Sequence, residues 1–211
     1  MGSVKEMYRI DGRISTQHRT LTCQFGISDS DGSATFQLGA TRVMVLVNYA
    51  EEFKVTLNPN NNEYVKQIQS LFGGFIKEPV HIDATMLQRD GSELACVVNC
   101  ISMALADSGV HMEKLIYAMN LGIHLEQTDQ SKLLIDPNYM EEQQGSHVTW
   151  FISHKDILGL YVKSPVQVES ITNTLQCLPL IEKFELEIKS QIKQYCANML
   201  VQRGYEEGMT I

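Results

Sequence analysis

The chain has 211 residues, 44% of them hydrophobic, and a formal net charge of −8. This length suits a single domain spanning residues 1–211 or two small intertwined halves, and the hydrophobic content excludes a disordered chain. Free-standing nucleic-acid binders usually carry a basic footprint, so the acidic balance argues against strong RNA binding by the isolated chain. A local basic patch is compatible with that balance.

The five cysteines include no Cys-x-x-Cys pair, and the histidines show no metal-ligand spacing. The sequence therefore predicts no zinc site and no other bound metal. A nucleophilic Cys–His pair would arise only by accident of folding. Where two cysteines lie one helical turn apart in an apolar stretch, at Cys96 and Cys100, we expect buried, reduced thiols. The cysteines are Cys23, Cys96, Cys100, Cys177 and Cys196.

The start of the chain, residues 1–6, has no apolar signal region, and no apolar run reaches about 18 residues. We expect a soluble protein of the cytosol or the nucleus.

Turn-forming residues divide the N-terminal half into strands and one helix. A turn rich in Asp, Gly and Ser at residues 28–33 and a Gly39-Ala40 bend indicate successive hairpins. After the turn at residues 58–61, apolar residues recur at helical spacing and predict a helix with a core-facing stripe. The predicted strands are 20–25, 34–39, 41–47 and 53–57, and the predicted helix is 62–76.

A central helix is the strongest single feature. Residues 80–87 alternate like a strand, and Asp90-Gly91 then forms a turn in which glycine permits a positive φ. We expect the Ser92 hydroxyl to cap the helix that follows and Gly109 to end it. Because the residues between them are small or apolar on every face, the helix should be buried on all sides.

The C-terminal half continues as strands followed by helix. We expect Ser164 to cap a helix with Pro165 in its first turn, and Pro179 to kink or split that helix before it continues to Arg203. The predicted strands are 114–125, 133–135, 147–152 and 157–162, the last two forming an antiparallel pair.

Four short motifs carry a resemblance to a known family. They are the Arg-x-Asp-Gly-Arg opening at residues 9–13, Asp-Gly-Ser-Ala at 31–34, Gly-Ala-Thr at 39–41, and Ala-Leu-Ala-Asp-Ser-Gly-Val at 104–110. With them the chain resembles the RNase PH family, and more closely the RNase PH-like ring subunits of the eukaryotic RNA exosome. The resemblance implies an α+β class and an RNase PH-like β-α-β fold, with mixed sheets packed around a central buried helix and C-terminal helices. The opening motif by itself is typical of a salt-bridged surface turn.

The phosphate-binding turn of active relatives is degenerate here. In those relatives, by this resemblance, the turn before the central helix reads Asp-Gly-Gly-Thr-Arg or similar, and it binds phosphate through the helix N-terminus, a hydroxyl and an arginine. This chain has Ser92, then Glu93 where the hydroxyl is expected and Leu94 where the arginine is expected. A carboxylate would repel phosphate and Leu94 supplies no donor, so we expect no phosphate binding.

Two acidic residues match the acidic pair that active relatives carry six positions apart. They are Asp136 and Glu142, with glutamate where aspartate is usual. We interpret both as vestigial and expect no catalytic residue, since Asp136 before Pro137 can equally be a turn residue whose carboxylate caps backbone amides.

The middle of the chain lacks the arginine-rich segment of active relatives. Between Arg42 and Lys77 the basic residues are Lys54 and Lys66 alone. Either these arginines have no counterpart, or a basic loop is missing from the sequence. The residues that contact RNA stay unassigned.

The resemblance implies a structural, catalytically inactive subunit of the exosome core ring, which supports 3′-to-5′ RNA processing and degradation, including rRNA processing. Its partners would be other RNase PH-like ring subunits, RNA-binding cap subunits and RNA in the assembled channel, without cofactor or membrane. We expect it in the nucleus, including the nucleolus, and in the cytoplasm. One alternative is an active phosphate-dependent 3′-to-5′ exoribonuclease, and another is a free homodimer with nuclease activity of its own.

Overall fold

A computed structural model of the protein describes residues 9–125, 131–154 and 156–202. The predicted signal-free start and the last helical residue, Arg203, lie outside these ranges. The described strands are β1 Leu21–Phe25, β2 Gly32–Leu38, β3 Thr41–Tyr49, β4 Lys54–Asn58, β5 Val80–Gln88, β6 Tyr117–Leu125, β7 Ser131–Ile135, β8 Ser146–Ser153 and β9 Asp156–Val162. The helices are α1 Asn62–Phe72, α2 Glu93–Ser108, α3 Tyr139–Glu142, α4 Val168–Thr174 and α5 Leu178–Gln202.

The strands form two sheets. The first has the order β1-β2-β3-β5-β4 and the second β7-β6-β8-β9. Neighbouring strands are antiparallel except β4, which runs parallel to β5 and is joined to it through α1. The predicted hairpins around Gly39 and between β8 and β9 are present. Both sheets and several helices together confirm the α+β fold class.

Helix α2 lies between the two sheets, in contact with β2 and β3 of one and with β6 and β8 of the other. All its residues from Leu94 to Leu105 are buried, as the sequence predicts for a helix that is apolar all round. Its two buried polar side chains bond to the backbone around the start of β6. Asn99 exchanges two hydrogen bonds with Ala118, and the Ser102 hydroxyl donates to the Ile116 carbonyl. Both buried polar side chains of α2 are therefore paired.

Two helix boundaries differ from the prediction. Helix α1 ends at Phe72 instead of residue 76, where Gly73 and Gly74 follow, and each glycine costs about 1 kcal/mol in a helix interior. The prediction that Ser164 caps the C-terminal helix is wrong, because α4 begins only at Val168. The Pro165 carbonyl instead accepts a bond from the hydroxyl of Ser146, so this segment still runs along the second sheet.

The C-terminal helix is split before Pro179, as predicted. A 3-10 turn at Leu175–Cys177 separates α4 from α5, and Pro179 occupies the first turn of α5, where its missing N–H is not needed. Helix α5 buries a stripe of Ile181, Phe184 and Ile188 against the core, while Leu186 is 64% exposed on another face. None of the described helices is long and apolar enough to span a membrane.

Candidate functional site

Three arginines from the segment before β1 converge on the turn that follows β7. Arg9, Arg13 and Arg19 are 7%, 8% and 6% exposed. Arg9 pairs with Glu141 and Arg19 with Asp136, whereas Arg13 pairs with Asp11 at 2.7 Å and lies 3.6 Å from Asp136. The sequence predicted a salt-bridged surface turn for residues 9–13. The salt bridges are present and residues 10–12 of the turn are exposed, but Arg9 and Arg13 are buried, because they reach carboxylates more than 120 residues later.

Asp136 is the fully buried centre of this arrangement. Its carboxylate accepts three bonds from Arg19, from the backbone N–H at 2.9 Å, from Nε at 2.8 Å and from Nη2 at 2.7 Å. Burial alone would raise the pKa of Asp136, but the hydrogen bonds and the charge of Arg19 outweigh it and hold the pKa below its usual value. The same pairing raises the pKa of Arg19 against the effect of burial. Both groups are therefore charged across the physiological range.

Glu141 is the carboxylate partner of Arg9. Arg9 Nε donates to its Oε1 at 2.6 Å, and the backbone N–H of Asn138 donates to Oε2 at 2.8 Å. Burial would raise the pKa of Glu141, and the Arg9 bonds lower it overall. The Asn138 side chain in turn accepts from the Glu141 N–H, which makes a reciprocal capping box at the start of α3. The sequence analysis missed Glu141, although its spacing from Asn138 was a usable signal.

The turn before α2 packs tightly against this arginine–carboxylate network. Gly91 has a positive φ of +79°, as predicted, and a Cβ there would lie 2.5 Å from the Asn138 carbonyl carbon. The prediction that Ser92 caps α2 is wrong. Ser92 itself has a φ of +53°, which turns its hydroxyl away from the helix amides, and it donates to the Pro137 carbonyl at 3.1 Å. The two turns are thus fastened to each other.

Glu142 accepts a hydrogen bond from the backbone of Ser92, at the end of this turn. Its Oε1 accepts from the backbone N–H of Ser92 at 2.7 Å and from Asn120 Nδ2 at 2.7 Å. Burial raises the pKa of Glu142, the Ser92 bond opposes part of that effect, and the nearby charge of Glu93 adds to it. The Glu142 carboxylate therefore already accepts a hydrogen bond from the Ser92 N–H, which lies at the helix N-terminus that binds phosphate in active relatives according to the sequence analysis.

Leu94 and Glu93, the two remaining residues of the degenerate turn, lie in different environments. Leu94 is buried in the core, so the position expected for an arginine is a packing position here. Glu93 lies within 3.8 Å of Arg89, one helical turn earlier, and its carboxylate remains partly accessible. The structure thus brings the Ser92 turn together with Asp136 and Glu142, and it places Leu94 in the core.

Other candidate chemistries find no support among the described residues. No group of three or more His, Cys, Asp or Glu side chains in those ranges is placed to hold a metal ion. Cys96 and Cys100 are buried as predicted, and burial raises the pKa of each thiol. Trp150 is a core residue whose Nε1 donates to Thr174 Oγ1 at 3.0 Å.

Comparison with known proteins places this geometry in context. An Arabidopsis thaliana exosome complex component, RRP41-like, is 28% identical over a 221-residue alignment that covers 88% of this chain and 84% of that protein. The Arabidopsis RRP41 homolog is 24% identical and is covered over 95% of its length. The crystal structure of rice (Oryza sativa) Rrp46 matches 88% of this chain and 100% of its own, with a TM-score of 0.76 and 19% identity. No family model matches the chain.

The chain has an RNase PH-like fold and is similar in sequence to proteins named as exosome complex components. The expected RNase PH-like fold is confirmed, with two sheets, a central buried helix and C-terminal helices. That residues 1–211 form one domain stays a prediction. The roles of Ser92, Glu93, Asp136 and Glu142 in this RNase PH-like chain are argued below from their contacts.

Proposed function

We propose that this RNase PH-like protein is a structural, catalytically inactive subunit of an exosome-type core ring that supports 3′-to-5′ RNA processing and degradation. The names of its relatives support membership, since they are exosome components and the alignments span most of their length. Its partners in this proposal are other RNase PH-like ring subunits, RNA-binding cap subunits, and RNA inside the assembled channel. We place it in the nucleus, including the nucleolus, and in the cytoplasm.

The observation that carries the inactive assignment is the bond between Glu142 and the Ser92 amide. Phosphorolysis requires inorganic phosphate to be held by backbone N–H groups and cations beside the scissile bond. Here a carboxylate accepts the Ser92 N–H, and Glu93 adds a second negative charge at the next position. A phosphate ion would have to displace one carboxylate and approach another, which Coulomb repulsion opposes.

Asp136 supports the same conclusion from the other side of the turn. A carboxylate that acts as a general acid or metal ligand must reach the substrate. Asp136 is fully buried, and both of its oxygens accept bonds from Arg19. Its charge pairs with Arg19 and so holds the segment before β1 against the second sheet.

Features of the surface support assembly. Strand β1 is an edge strand without a charged side chain, and β9 is an edge strand with Ile157 and Leu160 exposed. Unprotected edges of this kind invite pairing with another chain. Helix α5 adds Leu186 and Val201 on its exposed side. We infer that these exposed apolar groups contact neighbouring subunits in the ring.

The activity test is incubation of purified protein with 3′-labelled and internally labelled single-stranded RNA, with and without phosphate and magnesium. We expect no nucleoside diphosphate product by chromatography. The active-enzyme alternative predicts phosphate-dependent shortening, and that result would overturn the inactive assignment. Activity that disappears in Glu142→Gln would locate it at this turn. Asp136 variants are unsuitable controls, because they break the buried arginine network.

The assembly test is light scattering and native mass measurement of the purified chain, alone and with candidate RNase PH-like partners. We expect the chain alone to self-associate or to be poorly soluble, and a cognate partner to give a complex of defined mass. A stable monomer at tens of micromolar that ignores every candidate partner would contradict ring membership while leaving the fold intact. A defined homodimer would favour the second alternative.

A further inference from the structure

A polar cleft far from the Ser92 turn lies at one end of the second sheet. It is bounded by the segment leading into β6, the β8–β9 turn and the middle of α5, and its volume is about 460 Å³. Pockets that hold small ligands or anchoring side chains fall in roughly the 300–1,000 Å³ range. Two of the polar residues that line it, Tyr117 and Glu185, are only 2% and 5% exposed.

Glu185 presents a fixed carboxylate to this cleft. Its Oε1 accepts the backbone N–H of His154 at 2.9 Å, at a position where His154 adopts a left-handed φ of +54°. This bond closes the β8–β9 turn over α5 and orients the carboxylate. A buried carboxylate held in this way is costly to leave without a cation.

Tyr117 supplies the second polar group. Its hydroxyl is buried and has no hydrogen-bond partner among the described residues. Burial raises the pKa of this hydroxyl and the nearby charge of Glu185 raises it further, so the phenol stays neutral and lies within reach of that charge. An orphaned buried hydroxyl is uncommon in a folded protein, and its usual explanation is a group that completes its bonding.

The charges at the mouth of the cleft are largely balanced. Lys114 Nζ is 2.6 Å from Asp156, and Lys77 Nζ is 3.2 Å from Glu113. Lys189, one helical turn after Glu185 on α5, also borders the cleft. An anion that entered would meet the Glu185 carboxylate at the bottom, whereas a cation would meet an oriented acceptor between balanced pairs.

We propose that this cleft binds a guanidinium group, supplied as an arginine side chain by a partner protein. A guanidinium is planar and has five N–H donors, so it can donate to the Glu185 carboxylate and to the Tyr117 oxygen together. Its alkyl stem would pack on Met112 and Leu115, which line the same cleft. Arginine is also among the residues that most often anchor protein interfaces. The inference does not depend on ring membership.

The test uses ethylguanidinium as probe and the Met112 ε-methyl group as reporter, in methyl-labelled protein by NMR, which tolerates self-associated samples. The Met112 signal is assigned with Met112→Leu. We expect a saturable shift with ethylguanidinium at millimolar concentration, and at least severalfold weaker binding of ethylammonium, whose single charged group cannot donate in a planar fork. Glu185→Gln should weaken binding at least tenfold, and Tyr117→Phe severalfold.

Glu113→Gln is the matched control, because it removes a carboxylate from the rim of the same cleft, and it should bind ethylguanidinium like the unaltered protein. The remaining methionine signals report whether each variant is folded. Equal binding by Glu185→Gln or Tyr117→Phe, the absence of a saturable shift, or tighter binding of inorganic phosphate would each overturn the proposal. Nuclease activity and ring assembly do not enter this readout, so its failure is distinguishable from failure of the proposed function.

Discussion

Asp136 and Glu142 are six residues apart, Asp136 in the turn after β7 and Glu142 at the end of α3, yet their environments are opposite. Asp136 is fully buried and accepts three bonds from Arg19, and its pKa is lowered despite burial. Among the described residues, Glu142 accepts bonds from two neutral donors, the Ser92 amide and Asn120, and burial raises its pKa. One carboxylate is stabilised by a full charge and the other by dipoles.

The difference shows that neighbouring groups, rather than the identity of the residue, set the environment of two carboxylates that the family resemblance associates with catalysis. Asp136 retains the residue type that the family resemblance associates with activity, but its charge now organises the segment before β1. Glu142 occupies the amide of a helix start, where its charge resembles that of an anion bound at such a position. Three predictions test this contrast.

The largest effect should come from Asp136→Asn, which keeps the shape of the side chain and removes its charge. Arg19 would then be a buried guanidinium without its closest carboxylate, with the partly exposed Asp90 still 3.2 Å away, and removing one partner of a buried pair costs about 3–5 kcal/mol. We expect the free energy of unfolding to fall by that amount in denaturant titrations at pH 7.

The exposed Asp29, on the turn before β2, is the matched control. Asp29→Asn should change stability by less than about 0.5 kcal/mol, as surface substitutions usually do. Equal stabilities for the two variants would mean that the Asp136–Arg19 contact contributes nothing, and the contrast between the two carboxylates would then fail.

The fold could be predicted from the sequence because it depends on patterns between residues that are close along the chain. Turn chemistry and apolar periodicity located the hairpins, the all-round burial of α2, and the break before Pro179. Ser92 was misjudged because a cap requires its own φ to be extended, and the packing of Gly91 against Asn138 imposes a left-handed one instead. That constraint comes from a segment about 45 residues away.

Only part of the candidate site could be predicted from the sequence, for a related reason. The resemblance pointed to Asp136 and Glu142, because their spacing is local. It did not reveal Arg19, whose partner is separated by 117 residues, and no local pattern marks such a pairing. The cleft around Glu185 was missed entirely, because Tyr117, His154 and Glu185 meet only when the second sheet is assembled on α5.

A buried histidine extends the contrast between paired and unpaired groups to pH dependence. Burial, with the charge of Lys163, lowers the pKa of His147 from 6.5 to about 4, and its Nδ1 has no partner in the described ranges. The folded state keeps this imidazole neutral, while the unfolded chain protonates it below pH 6.5. Its contribution to stability is therefore present above pH 6.5 and is lost as the pH falls toward 4.

His147→Gln should lessen the loss of stability between pH 7 and pH 5, measured as the shift of the denaturant midpoint. Asp136 and Glu141 do not interfere in this window, because their lowered pKa values place their losses below about pH 4.5. The exposed His111 is the control, and His111→Gln should leave the slope unchanged. The same slope in both variants would exclude His147 as its source.

The smallest effect should come from Glu142→Gln, although it is the same kind of substitution as Asp136→Asn. The glutamine oxygen can still accept from Ser92 and Asn120, while the charge that burial disfavours is gone. A raised folded pKa means that ionising Glu142 costs folding free energy above that pKa, so the variant should equal or exceed the unaltered protein by up to about 1 kcal/mol at pH 7. This advantage should disappear below about pH 4.5, where the glutamate is protonated in both states.

Denaturant titrations at pH 7 and pH 4 measure the difference directly. A loss of several kcal/mol at pH 7 would show that the Glu142 charge is needed at the Ser92 amide, and the two carboxylates would then be alike.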